Sequence, residues 1–377
     1  MDCLIPVVNL LGFAAPGSPH AWHPLRLLPR SSPSSRAAMA ASAVDATASA
    51  SARGYCSQQP AAHTNLQIVR ANNLLLTRIE HNCPYGLTGC KDVVIYNHGF
   101  PDSSIVPTAA QDFAAASTVG AGWPEESYFS SRLPRKWCEY IIKQLANTAF
   151  VAFNTRGVPG SSSSADPETV ETAPDDFEKK TLTGDLEDIS AIAALMRLHC
   201  PDARISVCGM STGAFLALAF AARPDFHPQG GIASCFVLAC VEDIPSSASL
   251  DFSEEQRAAF DSDGFCFKEF FPFGGANNPQ MWRLSRSYYD SYAKFPPSQE
   301  LAAAMTVPTL LLHGADDRHV PPSHGEALLQ SLKAHSNSSV ELVLIPKGNH
   351  FLSSTPALNK AMAAIKKFLS SLGSTPR

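Results

Sequence analysis

The sequence predicts an α/β fold in which a mostly parallel central sheet carries helices on both faces and a cap inserted between two strands. Short apolar runs that stop at glycine or polar residues alternate with segments of helical periodicity along most of residues 66–372. Alternation of this kind is typical of a doubly wound sheet. The chain has 377 residues, 45% of them hydrophobic, so it can bury a large core without disulfide or metal staples.

Residues 1–59 are expected to stay outside this fold. They contain two acidic residues, Asp2 and Asp45, against four arginines spread among Ser, Ala and Pro. They also lack the periodic apolar face that a core needs. An arginine- and serine-rich, acid-poor segment is typical of an organelle transit peptide. We predict a transit peptide for the plastid; a disordered tail, the mitochondrion and the cytoplasm are the alternatives.

The first part of the core is predicted over residues 60–242. Its strands are short apolar runs rich in β-branched residues, as buried parallel strands are. Its helices repeat apolar residues at intervals of three and four. The predicted strands lie within 66–71, 74–81, 91–99, 148–157, 203–210 and 232–242, and the predicted helices within 135–148, 181–200 and 212–223.

Residues 243–301 interrupt the alternation and form the predicted cap. The segment is rich in phenylalanine and tyrosine, which either line a pocket for an apolar group or pack the cap onto the body. The alternation resumes in the second part of the core, residues 302–377. Strands are predicted there within 307–317 and 340–350, and helices within 323–335 and 356–372.

A G-x-S-x-G motif at residues 209–213 marks the candidate nucleophile. The motif places a serine in a tight turn between a strand and a helix, and here a strand-like run precedes it and a helix-like run follows. Gly209 and Gly213 leave room for the turn, and the helix N-terminus offers N–H groups to an oxyanion. Ser211 is therefore the candidate nucleophile; the alternative is a serine that only caps the helix.

A serine hydroxyl needs a base and a group that orients the base. His350 follows the last predicted strand and Asp317 follows the strand before it, at the sheet edge where open α/β sheets carry their sites. Taken singly, His350 fits a surface histidine and Asp317 fits a helix cap. The chain order Ser211, Asp317, His350, however, is that of a known Ser-His-Asp triad. Glu242 and Asp243, before the cap, are the alternative acids.

Two backbone N–H groups are candidates for an oxyanion hole. Thr212 directly follows the candidate nucleophile, and Phe100 lies in the segment NHGFPD after an earlier strand. Donors of this kind stabilise the negative charge that develops in acyl transfer. His98 and Gly99 belong to the Phe100 loop, and we expect them to support that loop rather than to react.

These motifs resemble the α/β-hydrolase superfamily over about residues 66–372. The matching segments are NHGFPD, NTRGVPGSS, GMSTG, HGADDRHVPP and GNHF. The resemblance implies the α/β-hydrolase fold, and its G-x-x-D-x-x-V-P pattern places the acid at Asp317 rather than Asp316. HGFPD is similar to epoxide hydrolases and haloalkane dehalogenases, but those branches have aspartate where this chain has Ser211.

Three features depart from the family pattern. Met210 stands where relatives often have His or Tyr, Asn154 stands where they often have Asp, and residues 103–134 look like an insertion. The resemblance still implies a serine hydrolase that forms an acyl-enzyme on Ser211. If the aromatic residues of the cap line the pocket, they indicate a small-molecule ester with an apolar group as the substrate. Prolyl-type aminopeptidases acting on short peptides, acyltransferases and low-turnover ligand receptors are the alternatives. The acids available to bind a peptide amine are Glu242, Asp243 and Glu269.

Charge, hydropathy and cysteine spacing argue against several other classes of protein. The net charge is −5 without a basic block, which argues against a nucleic-acid partner, and no apolar run reaches the ~18 residues of a membrane span. The ten cysteines lack zinc-binding spacing, and we expect neither metal nor cofactor. Cys83 and Cys90 flank a turn-rich loop and either form a disulfide or stay reduced as small apolar residues.

Overall fold

The apolar runs assemble into one large central sheet. The computed structural model describes residues 65–71, 75–107, 127–158, 160–161, 174–270, 280–335 and 339–372. The predicted transit peptide, residues 1–59, lies outside these ranges, as do residues 108–126 of the predicted insertion. No helix in the described ranges is long and apolar enough to cross a membrane.

Strands and helices alternate along the chain as the sequence predicts. The strands are β1 (Asn65–Ala71), β2 (Leu75–His81), β3 (Asp92–Asn97), β4 (Ile105–Pro107), β5 (Ser127–Phe129), β6 (Thr148–Phe153), β7 (Arg204–Met210), β8 (Ser234–Leu238), β9 (Phe265–Phe270), β10 (Gln280–Ser285), β11 (Thr309–Gly314) and β12 (Val340–Ile345). The helices are α1 (Arg132–Gln144), α2 (Pro174–Glu178), α3 (Leu182–His199), α4 (Thr212–Ala221), α5 (Ala248–Asp251), α6 (Glu254–Asp263), α7 (Arg286–Tyr292), α8 (Ser298–Ala304), α9 (Pro322–His335) and α10 (Thr355–Leu372).

Eight strands form the central sheet in the order β1-β2-β6-β3-β7-β8-β11-β12. The pairs β1–β2 and β2–β6 are antiparallel. Every later pair, from β6–β3 to β11–β12, is parallel. The carboxyl ends of β3, β7, β8, β11 and β12 therefore meet at one edge of the sheet, and the loops that follow them converge there.

Apolar residues cover both faces of this sheet. Along β3, Val93 and Ile95 join the core layer that includes α3, α4 and α9, whereas Val94 and Tyr96 join the layer that includes α1 and α10. Successive strand residues point to opposite faces, so an uninterrupted apolar run is what a sheet covered on both sides requires. The predicted doubly wound architecture is confirmed.

The segment between β8 and β11 contains α5 to α8 and the antiparallel pair β9–β10. Its aromatic rings are mostly interior: Phe252, Phe260, Tyr288 and Tyr292 are buried, while Phe267 is 51% exposed. Phe252 contacts Phe260, Tyr288 and Tyr292 with ring centroids 5.2, 6.4 and 5.9 Å apart. These ring contacts lie within residues 243–301 and hold the helices of this segment together.

Cys83 and Cys90 form a disulfide across the loop that follows β2. The other cysteines of the described part, Cys138, Cys200, Cys208, Cys235, Cys240 and Cys266, are free and buried. Cys83 and Cys90 thus form a local disulfide, whereas the free cysteines pack as small apolar residues of the core.

Candidate active site

Ser211 occupies a strained turn between β7 and α4. Its backbone has φ 56° and ψ −127°, a conformation that residues with a side chain rarely adopt and that costs roughly 1–3 kcal/mol. Two sets of hydrogen bonds hold it: Ser211 N donates to Leu238 O at 3.0 Å, and the N–H groups of Ala214 and Phe215 donate to Ser211 O at 2.9 and 3.1 Å. The turn keeps the Ser211 side chain at the sheet edge, partly exposed.

The two motif glycines are required by space. A Cβ at Gly209 would lie 2.3 Å from Gly213 O, and a Cβ at Gly213 would lie 2.2 Å from His98 O. Both distances are far below van der Waals contact. A Cβ at Gly99 would lie 3.4 Å from Ser211 Cβ, so the loop after β3 packs directly beside the candidate nucleophile.

Asp317 and His350 are hydrogen-bonded to each other. His350 Nδ1 lies 2.8 Å from Asp317 Oδ2, and Asp317 Oδ1 accepts from the N–H groups of His319 and Val320, both at 2.9 Å. Burial alone would raise the pKa of Asp317, but the hydrogen bonds from His350 and the two backbone amides hold it below its usual value. The carboxylate is therefore ionised at neutral pH and oriented toward the imidazole.

The loops that carry this pair are packed backbone to backbone. Asp316 N donates to Gly348 O at 2.9 Å, and a Cβ at Gly314 would lie 2.3 Å from the same oxygen. The close approach of the β11 and β12 loops brings Asp317 to His350. Of the alternative acids, Asp243 uses its carboxylate to accept from Ser246 at 2.7 Å, whereas the contact of Glu242 is made by its main-chain N–H, 3.4 Å from His324 Nδ1.

Ser211 and the Asp317–His350 pair lie at the same edge of the sheet, and no hydrogen bond joins them in the described part of the chain. Ser211 follows β7, and the pair follows β11 and β12, with β8 between them. Within the described residues, the Ser211 hydroxyl has no hydrogen bond to His350. Such contacts are often long in the unliganded state and tighten with substrate.

The Phe100 loop is fixed by His98. His98 Nδ1 lies 2.8 Å from Gly99 O, and Thr155 N donates to His98 Nε2 at 3.2 Å. These partners assign the proton to Nδ1, because Nε2 must accept. In the part of the chain that the structure describes, neither Phe100 N nor Thr212 N has an acceptor. Neither N–H group is therefore used by the main chain of the described residues.

Similarity to solved structures agrees with this sheet and its covering helices. The chain matches Est1E from Butyrivibrio proteoclasticus, solved with ferulic acid, at a TM-score of 0.57 and 18% identity, covering 82% of this chain and 100% of that one. This chain has the α/β-hydrolase fold. An acylaminoacyl peptidase from Pyrococcus horikoshii matches at a TM-score of 0.50 and 18% identity, covering 81% of this chain and 41% of that one.

Sequence comparison finds a match between part of the chain and one protein family. Residues 256–374 match the profile of the prolyl oligopeptidase family, Peptidase_S9. The matched segment includes Asp317 and His350 but begins after Ser211. No curated protein sequence matches the chain.

A buried ionic cluster behind the Phe100 loop escaped the sequence analysis. The Lys180 ammonium is 2% exposed and donates to three oxygens, Thr155 Oγ1 at 2.8 Å, Arg156 O at 2.8 Å and Asp185 Oδ1 at 2.6 Å. Thr155 in turn bonds His98. A lysine in a turn-rich segment carries no sequence signal for burial, so only the packing of this α/β-hydrolase fold reveals it.

One group of metal-type side chains lies far from Ser211 in the chain. His81, Cys83 and Cys90 are buried, with ligand atoms within 4.8 Å of one another. The two sulfurs, however, are bonded to each other, and a metal needs thiolates. In the disulfide form this group is therefore a staple with a neighbouring imidazole rather than a ligand set.

Burial of neutral His98 predicts a pH-dependent stability. Burial lowers the pKa of His98 from 6.5 to about 4, so between these values the unfolded chain binds a proton that the folded protein excludes. The contribution of His98 is full above pH 6.5 and decreases as the pH falls toward 4, by up to about 3 kcal/mol. We expect the difference in unfolding free energy between wild type and His98→Gln, measured in urea, to shrink over this range.

The comparison of two proteins isolates His98. Burial also raises the pKa values of Asp102 and Asp188 to about 6, but these carboxyls titrate in both proteins and largely cancel. A difference that stays constant from pH 7 to pH 4 would show that His98 is not held neutral by burial.

Proposed function

We propose that this protein is a serine hydrolase that cleaves a carboxylic ester with an apolar group through an acyl-enzyme on Ser211. The observation that carries the proposal is the Asp317–His350 hydrogen bond at 2.8 Å, at the same sheet edge as the strained Ser211. An imidazole oriented by a carboxylate, at the same sheet edge as a partly exposed serine, supports activation of that serine hydroxyl.

In the first half-reaction, His350 Nε2 takes the Ser211 proton while Oγ attacks the ester carbonyl. Asp317 keeps the remaining ring proton on Nδ1 and stabilises the imidazolium. The N–H groups of Thr212 and Phe100 stabilise the oxyanion of the tetrahedral intermediate. The intermediate then collapses, the carbon–oxygen bond to the alcohol breaks, and His350 gives its proton to the leaving alkoxide.

In the second half-reaction, water attacks the acyl-enzyme and His350 again acts as the base. The tetrahedral intermediate releases the carboxylic acid, and the proton returns from His350 to Ser211. Every proton that leaves a nucleophile is delivered to a leaving group. The chemistry is complete with these side chains and water.

Phe100 borders a small cavity together with Phe177, Tyr288 and Thr212, which supports an apolar substrate group at this point. Its ring lies 4.3 Å from Tyr288 and 6.1 Å from both Phe177 and Phe252, centroid to centroid. The structural neighbour Est1E binds ferulic acid, an aromatic carboxylic acid. We infer esters of short-to-medium or aromatic acyl groups as the substrate class.

Peptides are the second candidate substrate. The prolyl oligopeptidase match and the acylaminoacyl peptidase neighbour favour them. Of the acids that the sequence offered for a peptide amine, Asp243 already accepts from Ser246 and Ser298, and Glu269 is exposed on β9. We therefore place esters first.

A fluorophosphonate probe tests the proposal. It phosphonylates activated serines, and we expect mass spectrometry to find the label on the peptide that contains Ser211, with heat-denatured protein as the unlabelled control. Competition with p-nitrophenyl butyrate and with an aminoacyl p-nitroanilide then ranks the two substrate classes. An intact, folded protein that stays unlabelled, or a label on another serine, would overturn the assignment.

A further inference from the structure

The cap places a carboxylate against the turn that carries Ser211. Asp251 is the last residue of α5, and its Oδ2 accepts a hydrogen bond from the Tyr292 hydroxyl at 2.5 Å. The hydroxyl Oγ1 of Thr212 lies 3.4 Å from the same oxygen, a long contact. Thr212 is the residue directly after the candidate nucleophile, so one cap side chain reaches the first residue of α4.

A cation accompanies this carboxylate. The Lys268 ammonium on β9 donates to the main-chain oxygen of Asp251. It also lies 4.9 Å from the Phe252 ring centroid and 5.7 Å from that of Phe100. Burial raises the pKa of Asp251, while Tyr292, Lys268, Thr212 and the nearby His319 oppose that shift.

Both residues expected to form the oxyanion hole are thus held by the cap through their side chains. Asp251 contacts the Thr212 hydroxyl, and the ring of Phe100 stacks on Tyr288 of α7 at 4.3 Å. Oxyanion donors act because they are fixed before charge develops, and a misplacement of about 1 Å can cost on the order of 10²-fold in rate. The contacts that fix them are therefore kinetic as well as structural.

We propose that Asp251 is a positioning residue for the oxyanion hole: its carboxylate, held by Tyr292, anchors Thr212 and so fixes the Thr212 N–H. The inference rests on the proposed function, since it assigns Asp251 to the same reaction. It makes the cap part of the chemical step rather than only a cover over the substrate.

The test separates kcat from KM. For p-nitrophenyl butyrate we expect Asp251→Ala to lower kcat about 10- to 100-fold with little change in KM, less than the roughly 10²- to 10³-fold loss of an oxyanion donor itself. Asp251→Asn keeps an acceptor oxygen and should recover part of the loss. Asp261→Ala is the matched control, because Asp261 is a cap acid bonded to Arg286; its kcat should equal that of wild type.

A double-mutant cycle tests the route through Thr212. Thr212→Val keeps the shape and removes the hydroxyl. If Asp251 acts through that hydroxyl, the double variant Thr212→Val/Asp251→Ala should be little slower than the slower single variant. Multiplying effects would overturn the proposal, as would an unchanged kcat in folded Asp251→Ala or a change confined to KM.

Two further variants separate a loss of folding from a loss of the chemical step. If Asp251→Ala does not fold, Tyr292→Phe removes only the hydroxyl that holds the carboxylate, and its kcat decides in the same way. Ser211→Ala is measured alongside. Activity that survives Ser211→Ala refutes the proposed function, whereas activity lost in Ser211→Ala but retained in Asp251→Ala refutes only the positioning role.

Discussion

Replacement of Ser211 by alanine is expected to abolish ester turnover, lowering kcat for p-nitrophenyl butyrate by a factor on the order of 10⁴ or more. Alanine removes the oxygen that forms the acyl-enzyme but keeps the Cβ that the turn already accommodates at φ 56°. The fold, the glycine contacts and the Asp317–His350 pair all remain. The loss should therefore fall on kcat, with thermal unfolding close to that of wild type.

A second serine, Ser246, is the matched control that shows whether the loss of turnover is specific to Ser211. Ser246 precedes α5 and makes its side-chain hydrogen bonds with Asp243 rather than with the Ser211 turn, so Ser246→Ala should keep full turnover and full fluorophosphonate labelling. If folded Ser211→Ala retained more than a few per cent of wild-type turnover, Ser211 would not be the nucleophile. Side-chain capping of α4 would not be its role either, because the Ser211 hydroxyl makes no cap hydrogen bond.

Replacement of Asp317 by asparagine is expected to lower kcat by a factor on the order of 10⁴. The amide keeps the size of the side chain, and its oxygen can still accept from the N–H groups of His319 and Val320. It carries no charge to stabilise the His350 imidazolium, and its amino group favours the wrong ring tautomer. Substrate binding should change little, so KM serves as the internal reference.

The neighbouring carboxylate supplies the control for this substitution. Asp316 is exposed and outside the Asp317–His350 bond, so Asp316→Asn should leave kcat unchanged. The alternative acid is tested in the same assay by Glu242→Gln. If Glu242→Gln were inactive and Asp317→Asn active, the acid would come from the strand before the cap.

The large elements of the fold were predictable because their sequence periods are long and unambiguous. The four consecutive residues 93–96 of β3 are all apolar. An unbroken apolar run of this kind predicts a strand whose two faces are both buried. The short helix α2 and the β9–β10 pair were not predicted. Their residues lie in a turn-rich loop and in an aromatic segment, where apolar side chains follow contacts with distant elements rather than a local period.

The residues of the candidate site likewise fall into those that the sequence predicts and those that only the folded structure brings into contact. Ser211, Asp317 and His350 could be proposed because each ends a strand at a motif with its own backbone requirement. Asp251 and Lys180 could not, since the first meets Thr212 across 39 positions of the chain and the second is neutralised by Asp185 only after folding. Chain packing, which no local pattern encodes, selects these residues.

The frame around Ser211 also bears on how such a site can change its chemistry. Carbonyl oxygens occupy the space that a side chain would need at Gly209 and Gly213, at 2.3 and 2.2 Å, whereas residue 211 already carries a side chain that is partly exposed at the sheet edge. The turn therefore excludes a side chain at the two flanking positions and accepts one at the central position at the cost of a strained backbone. A single codon change can exchange one nucleophile for another, while the turn that presents it stays the same.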